Sequence, residues 1–223
     1  MTSLTIRARR DDALSRQRII DAAIELLDAG GAAGLTFRTL SEKLATGPGA
    51  IYGHIANKGD LLAAACDAVV IRTVDVADLA GAPQAVIRAV ALALFDAIDA
   101  HPWVGSVIGW AAGQTGMVRI LECLGQQLRR LQVPQAAQWA TVSALLNYIL
   151  GVGGQNASNA QSARARGARR DDVLGAVALA WSQLDAAAYP FVRDVAGQMR
   201  EHDDRIDFLV GIDLLLAGIA PAS

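Results

Sequence analysis

A short stretch around residue 50 combines two polar ring side chains with unusually small neighbours. Tyr52 and His54 stand beside Gly49 and Ala50 in the segment PGAIYGHI. Pro48 suits the first turn of a helix, where its missing N–H removes no hydrogen bond. A helix of about two turns with small side chains can sit deep in a groove of duplex DNA, with its few polar side chains reaching outward. The segment therefore predicts a DNA-reading helix.

The residues before this segment predict a second helix and a tight turn. Thr36 offers a hydroxyl N-cap, and Phe37, Leu40 and Leu44 follow at helical spacing. The next three residues, ATG, do not easily continue a helix. Two short helices around a tight turn form a helix-turn-helix.

Two longer helices are expected to hold this pair. The first begins at the N-cap Ser15, carries a stripe of apolar residues and ends at Gly30 and Gly31. The fourth is capped by Asn57 and runs to about Leu79. A rigid helix in that place would transmit shifts from the rest of the chain to the helix-turn-helix. The apolar stripe of the first helix is Ile20, Ala23, Ile24 and Leu27.

The side chains that usually perform catalysis or bind metal are scattered. The three histidines are isolated, and Cys66 and Cys123 lie far apart with no CxxC spacing. Gly151-Val-Gly-Gly lacks the third glycine of a dinucleotide-binding loop, because position 156 is Asn, and no strand precedes it. We expect no metal and no cofactor.

The composition favours an all-α protein with a large core. Hydrophobic residues make up 53% of the 223 residues, charged residues 19% and aromatics only 5%. The net charge of −2 argues by itself against a nucleic-acid binder. Residues 1–62 carry +1 and the remainder −3. Any DNA affinity must therefore come from the placement of charge and not from its total.

The first 14 residues read as a flexible basic arm. Arg7, Arg9 and Arg10 cluster there, either as a solvated tail or as an arm that contacts DNA. The segment lacks the apolar core of a signal peptide. Residues 131–163 carry no charge, yet Pro134 and several amides interrupt them, so no membrane span is expected. We expect a cytoplasmic protein.

The remainder reads as further helices without strands. They are expected at about 83–100, 103–115, 117–131, 134–160, 172–188, 191–200 and 203–218. The helices at 134–160 and 203–218 are apolar on more than one face. They either pair with their copies across a twofold axis or lie inside the core of a single chain.

In the part of the chain after residue 62, called the body below, one helical face could form the wall of a ligand cavity. Its aromatic surface and few amides would suit a largely apolar ligand, although plain core packing explains the pattern equally well. The ligand-binding candidates are Trp103, Val107, Trp110, Gln114, Met117 and Asn147.

The segment from Arg18 to Leu62 resembles the TetR family of transcription regulators. The similarity rests on the Gly-rich end of helix one, on Leu-Thr-hydrophobic-Arg, and on Tyr-x-His-x-x-Asn-Lys-x-x-Leu-Leu. The last helix, with Gly211 and Gly218, resembles the closing dimerisation helix of the family. This resemblance implies a homodimer that binds a pseudo-palindromic double-stranded DNA operator. It also implies a repressor that releases the operator when a small-molecule effector binds the body.

The resemblance also implies roles for individual residues. Arg38 corresponds to a position that reaches a base edge, and Lys58 to one that grips a phosphate. Ala50, Tyr52 and His54 correspond to groove-facing positions. The DNA-binding candidates are Thr36, Arg38, Pro48, Gly49, Ala50, Tyr52, His54 and Lys58.

This sequence also departs from the family pattern. ATG stands where Gly-Val-Ser is commoner, and Pro48, Gly49 and Ala50 replace larger polar residues. Few direct base contacts are therefore expected beyond those of Arg38, with apolar touches to thymine methyls.

The expected organisation is an arm at 1–14, a helix-turn-helix DNA-binding domain at 15–61 and a ligand-binding and dimerisation domain at 62–223. Two other functions remain open at this point. One is a helical ligand-binding protein or an enzyme that uses the body cavity, with Asn147, His101 and Glu122 as the residues to watch. The other is a module whose helix-turn-helix domain at 15–61, called the head below, contacts protein instead of DNA.

Overall fold

A computed structural model describes residues 14–77, 79–108 and 115–219, without the side chain of Arg200. Regular structure in these ranges is helical, as the sequence predicts. The helices are α1 (Arg16–Gly34), α2 (Phe37–Lys43), α3 (Pro48–Tyr52), α4 (Lys58–Val76), α5 (Pro83–Ala100), α6 (Trp103–Val107), α7 (Thr115–Arg130), α8 (Gln135–Ala165), α9 (Arg170–Ser182), α10 (Pro190–Val195), α11 (Gln198–Glu201) and α12 (Asp204–Ala217).

The described residues form two compact units. The first holds the chain up to Asp75 together with Ser106–Ile120, and the second holds Val76–Gly105 and the chain from Leu121 onward. Arm residues 1–13 lie outside the described ranges. None of the described helices is long and apolar enough to cross a membrane.

The first unit is built on the apolar stripe of α1. Its buried side chains include Ile20, Ala23 and Leu27, as the helical spacing predicts. Ser15 caps the helix by accepting from the backbone N–H of Arg18. Gly31, at a φ of +59°, interrupts the helix where the glycines predict an end.

Ion pairs and a backbone hydrogen bond reinforce this unit. Lys43 of α2 pairs with Glu25 of α1 at 2.6 Å. Arg72 of α4 pairs with Asp21 of α1. The carboxylate of Asp67 on α4 accepts from the backbone N–H of Gly116 in the first turn of α7.

The turn after α2 carries a non-glycine residue in a left-handed conformation. Ala45 has a φ of +50°. The N–H of Ala45 donates to the Glu42 carbonyl at 3.3 Å, and the N–H of Thr46 donates to the Ser41 carbonyl at 3.0 Å. This pair of bonds is the Schellman arrangement, in which glycine is the usual residue at the left-handed position. Ala45 is therefore strained where the resemblance to the family expects glycine.

The second unit packs α12 against α5 and α8 through three stacked rings. Phe208 of α12 lies 4.6 Å from Phe95 of α5 and 5.6 Å from Tyr148 of α8, measured between ring centroids. The Tyr148 hydroxyl donates to the Phe208 carbonyl at 3.2 Å. The Tyr148 ring also lies directly over Gly211, where a Cβ would overlap it.

Small residues of α8 serve packing inside the unit. A Cβ on Gly153 would meet Ile98 of α5 at 3.1 Å, and a Cβ on Gly105 would meet the Gly154 Cα at 3.3 Å. Ala157 is buried as well, whereas Gly151 is exposed. Close approach at these glycines, expected from the sequence, thus occurs within one chain.

Several boundaries differ from the prediction. Helix α8 continues to Ala165. Gly167, whose φ is +64°, lies in the turn that follows it. Helix α9 ends at Ser182, and in the following turn the Asp185 side chain accepts from the N–H groups of Ala187 and Ala188. The single helix expected at 191–200 is two shorter helices, α10 and α11.

Replacing Gly211 with alanine should destabilise the protein by about 1–3 kcal/mol, because the new methyl forces the Tyr148 ring to move. Gly175→Ala is the matched control, since open space surrounds that glycine in α9. It should stabilise by about 0.5–1 kcal/mol through helix propensity. Urea unfolding of the two variants measures both effects. Equal effects in the two variants would contradict the packing of Tyr148 on Gly211.

Replacing Ala45 with glycine should raise the free energy of unfolding by about 1 kcal/mol, because glycine adopts the left-handed conformation without strain. Ala176→Gly, at an exposed position inside α9, should lower it by a similar amount. Thermal unfolding compares the variants. A lower melting temperature for Ala45→Gly would show that the turn is not strained.

Candidate nucleic-acid interface

Helix α3 is anchored by two isoleucines. Ile51 is fully buried and Ile55, in the turn that follows, is 3% exposed. The helix begins at Gly47 as N-cap with Pro48 in its first turn. It spans only five residues, Pro48–Tyr52, and is shorter than the two turns predicted. His54 therefore lies just past the helix, with its N–H donating to the Ile51 carbonyl at 2.9 Å.

The structure places all the predicted DNA-binding residues on the exposed surface of the first unit. They come from the start of α2, from α3 and its following turn, and from the start of α4. They are Thr36, Arg38, Pro48, Gly49, Ala50, Tyr52, His54 and Lys58.

The ring of Tyr52 is exposed but oriented. It is 55% exposed and stacks on Phe37 of α2, with ring centroids 4.4 Å apart and planes 16° from parallel. A side chain exposed to this extent is not part of the core. Phe37 was expected only as an apolar position of α2, and its role as a platform for Tyr52 was missed. Stacking of this kind limits the ring to few orientations.

Arg38 is paired within its own helix. Its guanidinium donates to Glu42 at 2.9 Å, and its side chain is 87% exposed. The hydrogen bond and the charge of Glu42 raise the pKa of Arg38, which stays charged. Sequence analysis missed Glu42, although an acid four residues after an arginine on a helix is a recognisable signal.

Lys58 and Thr36 already have partners in this structure. The Lys58 ammonium donates to the Ala32 carbonyl at 2.6 Å, which ties the start of α4 to the end of α1. Thr36 forms a capping box with Thr39: its hydroxyl accepts from the Thr39 N–H, and the Thr39 hydroxyl accepts from the Thr36 N–H, both at 3.0 Å. The Thr36 N-cap is confirmed.

The structure describes four of the six predicted ligand-binding residues. Trp103, Val107 and Met117 are buried, whereas Asn147 is exposed on α8. Trp110 and Gln114 lie outside the described residues.

A cavity of about 720 Å³ lies elsewhere, within the second unit. Its walls come from α8, the 166–170 turn, α9, α11 and α12. None of the ligand-binding candidates that the structure describes lines it. The Arg-rich segment 162–170 falls between two of the predicted helices. The signal that was available is the spacing of Tyr148, Val152, Gln155 and Asn159, which share one face of α8.

Neither cysteine is set up for reactivity in the structure. Burial raises the pKa of Cys66 to about 12 and also raises the pKa of Cys123. Both thiols are therefore protonated at neutral pH. Among the described residues, no group of three or more His, Cys, Asp or Glu side chains could hold a metal ion.

Comparison with known proteins shows which family the chain belongs to. The family described as "Bacterial regulatory proteins, tetR family" matches residues 19–65. The structure of the transcriptional regulator SCO7222, a TetR from Streptomyces coelicolor, is 52% identical in sequence with a TM-score of 0.84. The alignment covers 93% of this chain and 98% of that one. Apo ActR from the same organism shares the fold, with 21% identity, 92% and 94% coverage of the two chains and a TM-score of 0.76.

Curated relatives match over less than half of the chain. The transcriptional repressor DrrR1 of Streptomyces coeruleorubidus is 33% identical over 92 residues, which are 41% of this chain and 34% of that protein. The class D tetracycline repressor of Escherichia coli is 47% identical over 49 residues, 22% of each protein. The chain thus matches about a third of the length of the first relative and less of the second. Because the similarity to SCO7222 extends over nearly all of both chains, the protein belongs to the TetR family of transcriptional regulators.

Proposed function

We propose that this protein is a homodimeric, ligand-responsive repressor that binds a pseudo-palindromic operator in the cytoplasm. The observation that carries the proposal is the exposed end of α3. Tyr52 projects there on its Phe37 platform while Ile51, one residue earlier, is buried. Residues 15–61 are assigned to DNA binding and residues 62–223 to ligand binding and dimerisation.

Arg38 is the proposed base-reading residue. A guanidinium on a helix that borders the major groove can donate two hydrogen bonds to guanine O6 and N7. Glu42 holds it only through an exposed ion pair, which is weak and readily exchanged. The small side chains of Pro48, Gly49 and Ala50 would let the backbone of α3 approach the bases closely.

Lys58, Tyr52 and His54 are the proposed phosphate contacts. The Lys58 ammonium is exposed, and its carbonyl partner at Ala32 is uncharged, so a phosphate can replace that partner with a gain in Coulomb attraction. Such contacts release counterions and would make binding steeply salt-dependent.

Dimerisation is proposed through α12 and α8. Phe208, Ile212 and Leu216 of α12 are buried within the chain. On the other face, Ile206, Val210 and Leu214 form an exposed apolar stripe at four-residue spacing. An uncovered stripe of this length on a soluble helix favours an interface. The exposed Ala140, Ala144 and Gly151 of α8 would allow close helix approach across a twofold axis.

Regulation is proposed to follow from a population shift. An effector that prefers one arrangement of α4 would change the spacing of the two heads, which must match half-sites about 34 Å apart. Streptomyces coelicolor ActR, a protein of the same fold, has been crystallised with actinorhodin, so this architecture can hold a small molecule. The family consists of transcriptional regulators, and the protein is not an enzyme.

Arg38→Ala should weaken binding to DNA from upstream of the protein's own gene by about 5- to 150-fold, because a bidentate base contact is lost. Tyr52→Ala should weaken it by about tenfold through loss of an oriented phosphate contact. Gel-shift titration measures both affinities. Arg129→Ala, which removes an exposed arginine on α7, is the matched control and should leave the affinity unchanged. Unchanged binding by both head variants would refute the assignment of the DNA-reading surface.

Leu214→Arg should convert the dimer to a monomer, because it places a charge at the most exposed residue of the α12 stripe. Sedimentation velocity measures the mass at micromolar concentration. Leu179→Arg is the matched control, since Leu179 is an exposed leucine of α9 outside this stripe. A dimer that survives Leu214→Arg would exclude α12 from the interface.

A further inference from the structure

The cavity in the second unit has the size of a ligand site. Its volume of about 720 Å³ lies within the range of pockets that hold drug-sized molecules. Most of its lining belongs to three helices, α8, α9 and α12, and Met199 of α11 contributes a flexible apolar side chain.

One wall of the cavity is apolar. Val173, Leu174 and Val177 of α9 project into it at helical spacing, and Val152 of α8 and Phe208 of α12 face the same space. The ring of Phe208 is fixed by its stacking on Phe95. This wall suits a rigid aromatic or aliphatic skeleton.

The lining also contains charges that pair with one another. Arg170 donates from Nε to Asp204 at 2.9 Å and from a terminal nitrogen to the His202 carbonyl at 2.8 Å. The His202 ring contacts Asp204 at 2.8 Å and also contacts Asp207. These four side chains form a closed network and leave little charge for a ligand to neutralise.

Two further arginines leave the cavity with an excess of positive charge. Arg164 lines the cavity, and its guanidinium has no hydrogen-bond or carboxylate partner among the described residues. Arg166 donates from Nε to the Ser162 carbonyl at 3.1 Å, and no described carboxylate pairs with its terminal nitrogens. Counting Arg170 as well, three arginines line the cavity against two aspartates. A guanidinium matches a carboxylate or sulfonate in both charge and shape.

We propose that this cavity is the effector site and that its effector is an amphipathic acid. Such a ligand has an apolar skeleton against Val173 and Val177 and one anionic group at Arg164 and Arg166. The assignment as effector site rests on the ligand-responsive function proposed above, whereas the affinity for amphipathic anions can be measured without DNA.

The test uses two fluorescent probes that differ by one anionic group. 8-Anilinonaphthalene-1-sulfonate carries a sulfonate, and N-phenyl-1-naphthylamine has the same ring system without it. The wild-type protein should bind the sulfonate probe at one site per chain and about tenfold more tightly than the neutral probe. Equal affinity for the two probes would overturn the charge assignment.

Variants locate the site. Arg164→Gln combined with Arg166→Gln should reduce affinity for the sulfonate probe by about tenfold and leave the neutral probe unaffected. Arg129→Gln combined with Arg169→Gln removes the same charge outside the cavity lining and should change neither affinity. Val177→Trp should lower the affinity for both probes, because the indole fills the space beside the apolar lining residues of α9. Unchanged binding by Val177→Trp would place the probe elsewhere and refute the site.

Two outcomes separate this proposal from the others. If Leu214→Arg created probe binding that the wild type lacks, the cavity would be part of the subunit interface, and the proposal would be overturned. Gel shifts with the cavity variants, Arg164→Gln combined with Arg166→Gln and Val177→Trp, should show DNA binding equal to wild type. Absence of DNA binding by the wild type itself would refute the proposed repressor function without altering the probe result.

Discussion

Burial of Ile51 and Ile55 is the constraint on which the head depends. A helix of five residues cannot persist alone in water, because nucleation costs more than so few hydrogen bonds return. Helix α3 is therefore stable only because Ile51 and, in the following turn, Ile55 are held in the core of the first unit. The same anchoring determines what the surface presents. With Ile51 inward, the residues on either side of it, Ala50 and Tyr52, must face outward.

Helix α12 is also fixed by burial of one face, but its opposite face is apolar and stays exposed. It is apolar around most of its circumference, yet one chain covers only the face of Phe208, Ile212 and Leu216. That face is fixed by ring stacking and by the close approach of Tyr148 to Gly211. Since the inner face is rigidly placed, the outer stripe has a defined position and direction. A fixed apolar stripe is what a symmetric partner helix requires.

Local sequence signals predicted most of the fold and much of the head. Ser15, Thr36 and Asn57 cap helices as expected, because a cap depends on residues within one turn of each other. The predicted groove-facing residues are also exposed, since period and core position determine the face of a helix. Contacts between distant segments were not predictable in this way. Nothing local indicates that Lys58 reaches the Ala32 carbonyl or that Phe37 supports Tyr52.

The cavity of the second unit was not predicted, for the same reason. Its lining is drawn from α8 to α12, and neither Arg164 nor Val177 is distinctive in its own segment. Aromatic and amide content pointed instead to Trp103 and Val107, both of which are buried. Composition reports which side chains favour a ligand, but a cavity is empty space that only the arrangement of helices creates. A pocket that several helices assemble from common residues can therefore change its ligand without a change in the fold.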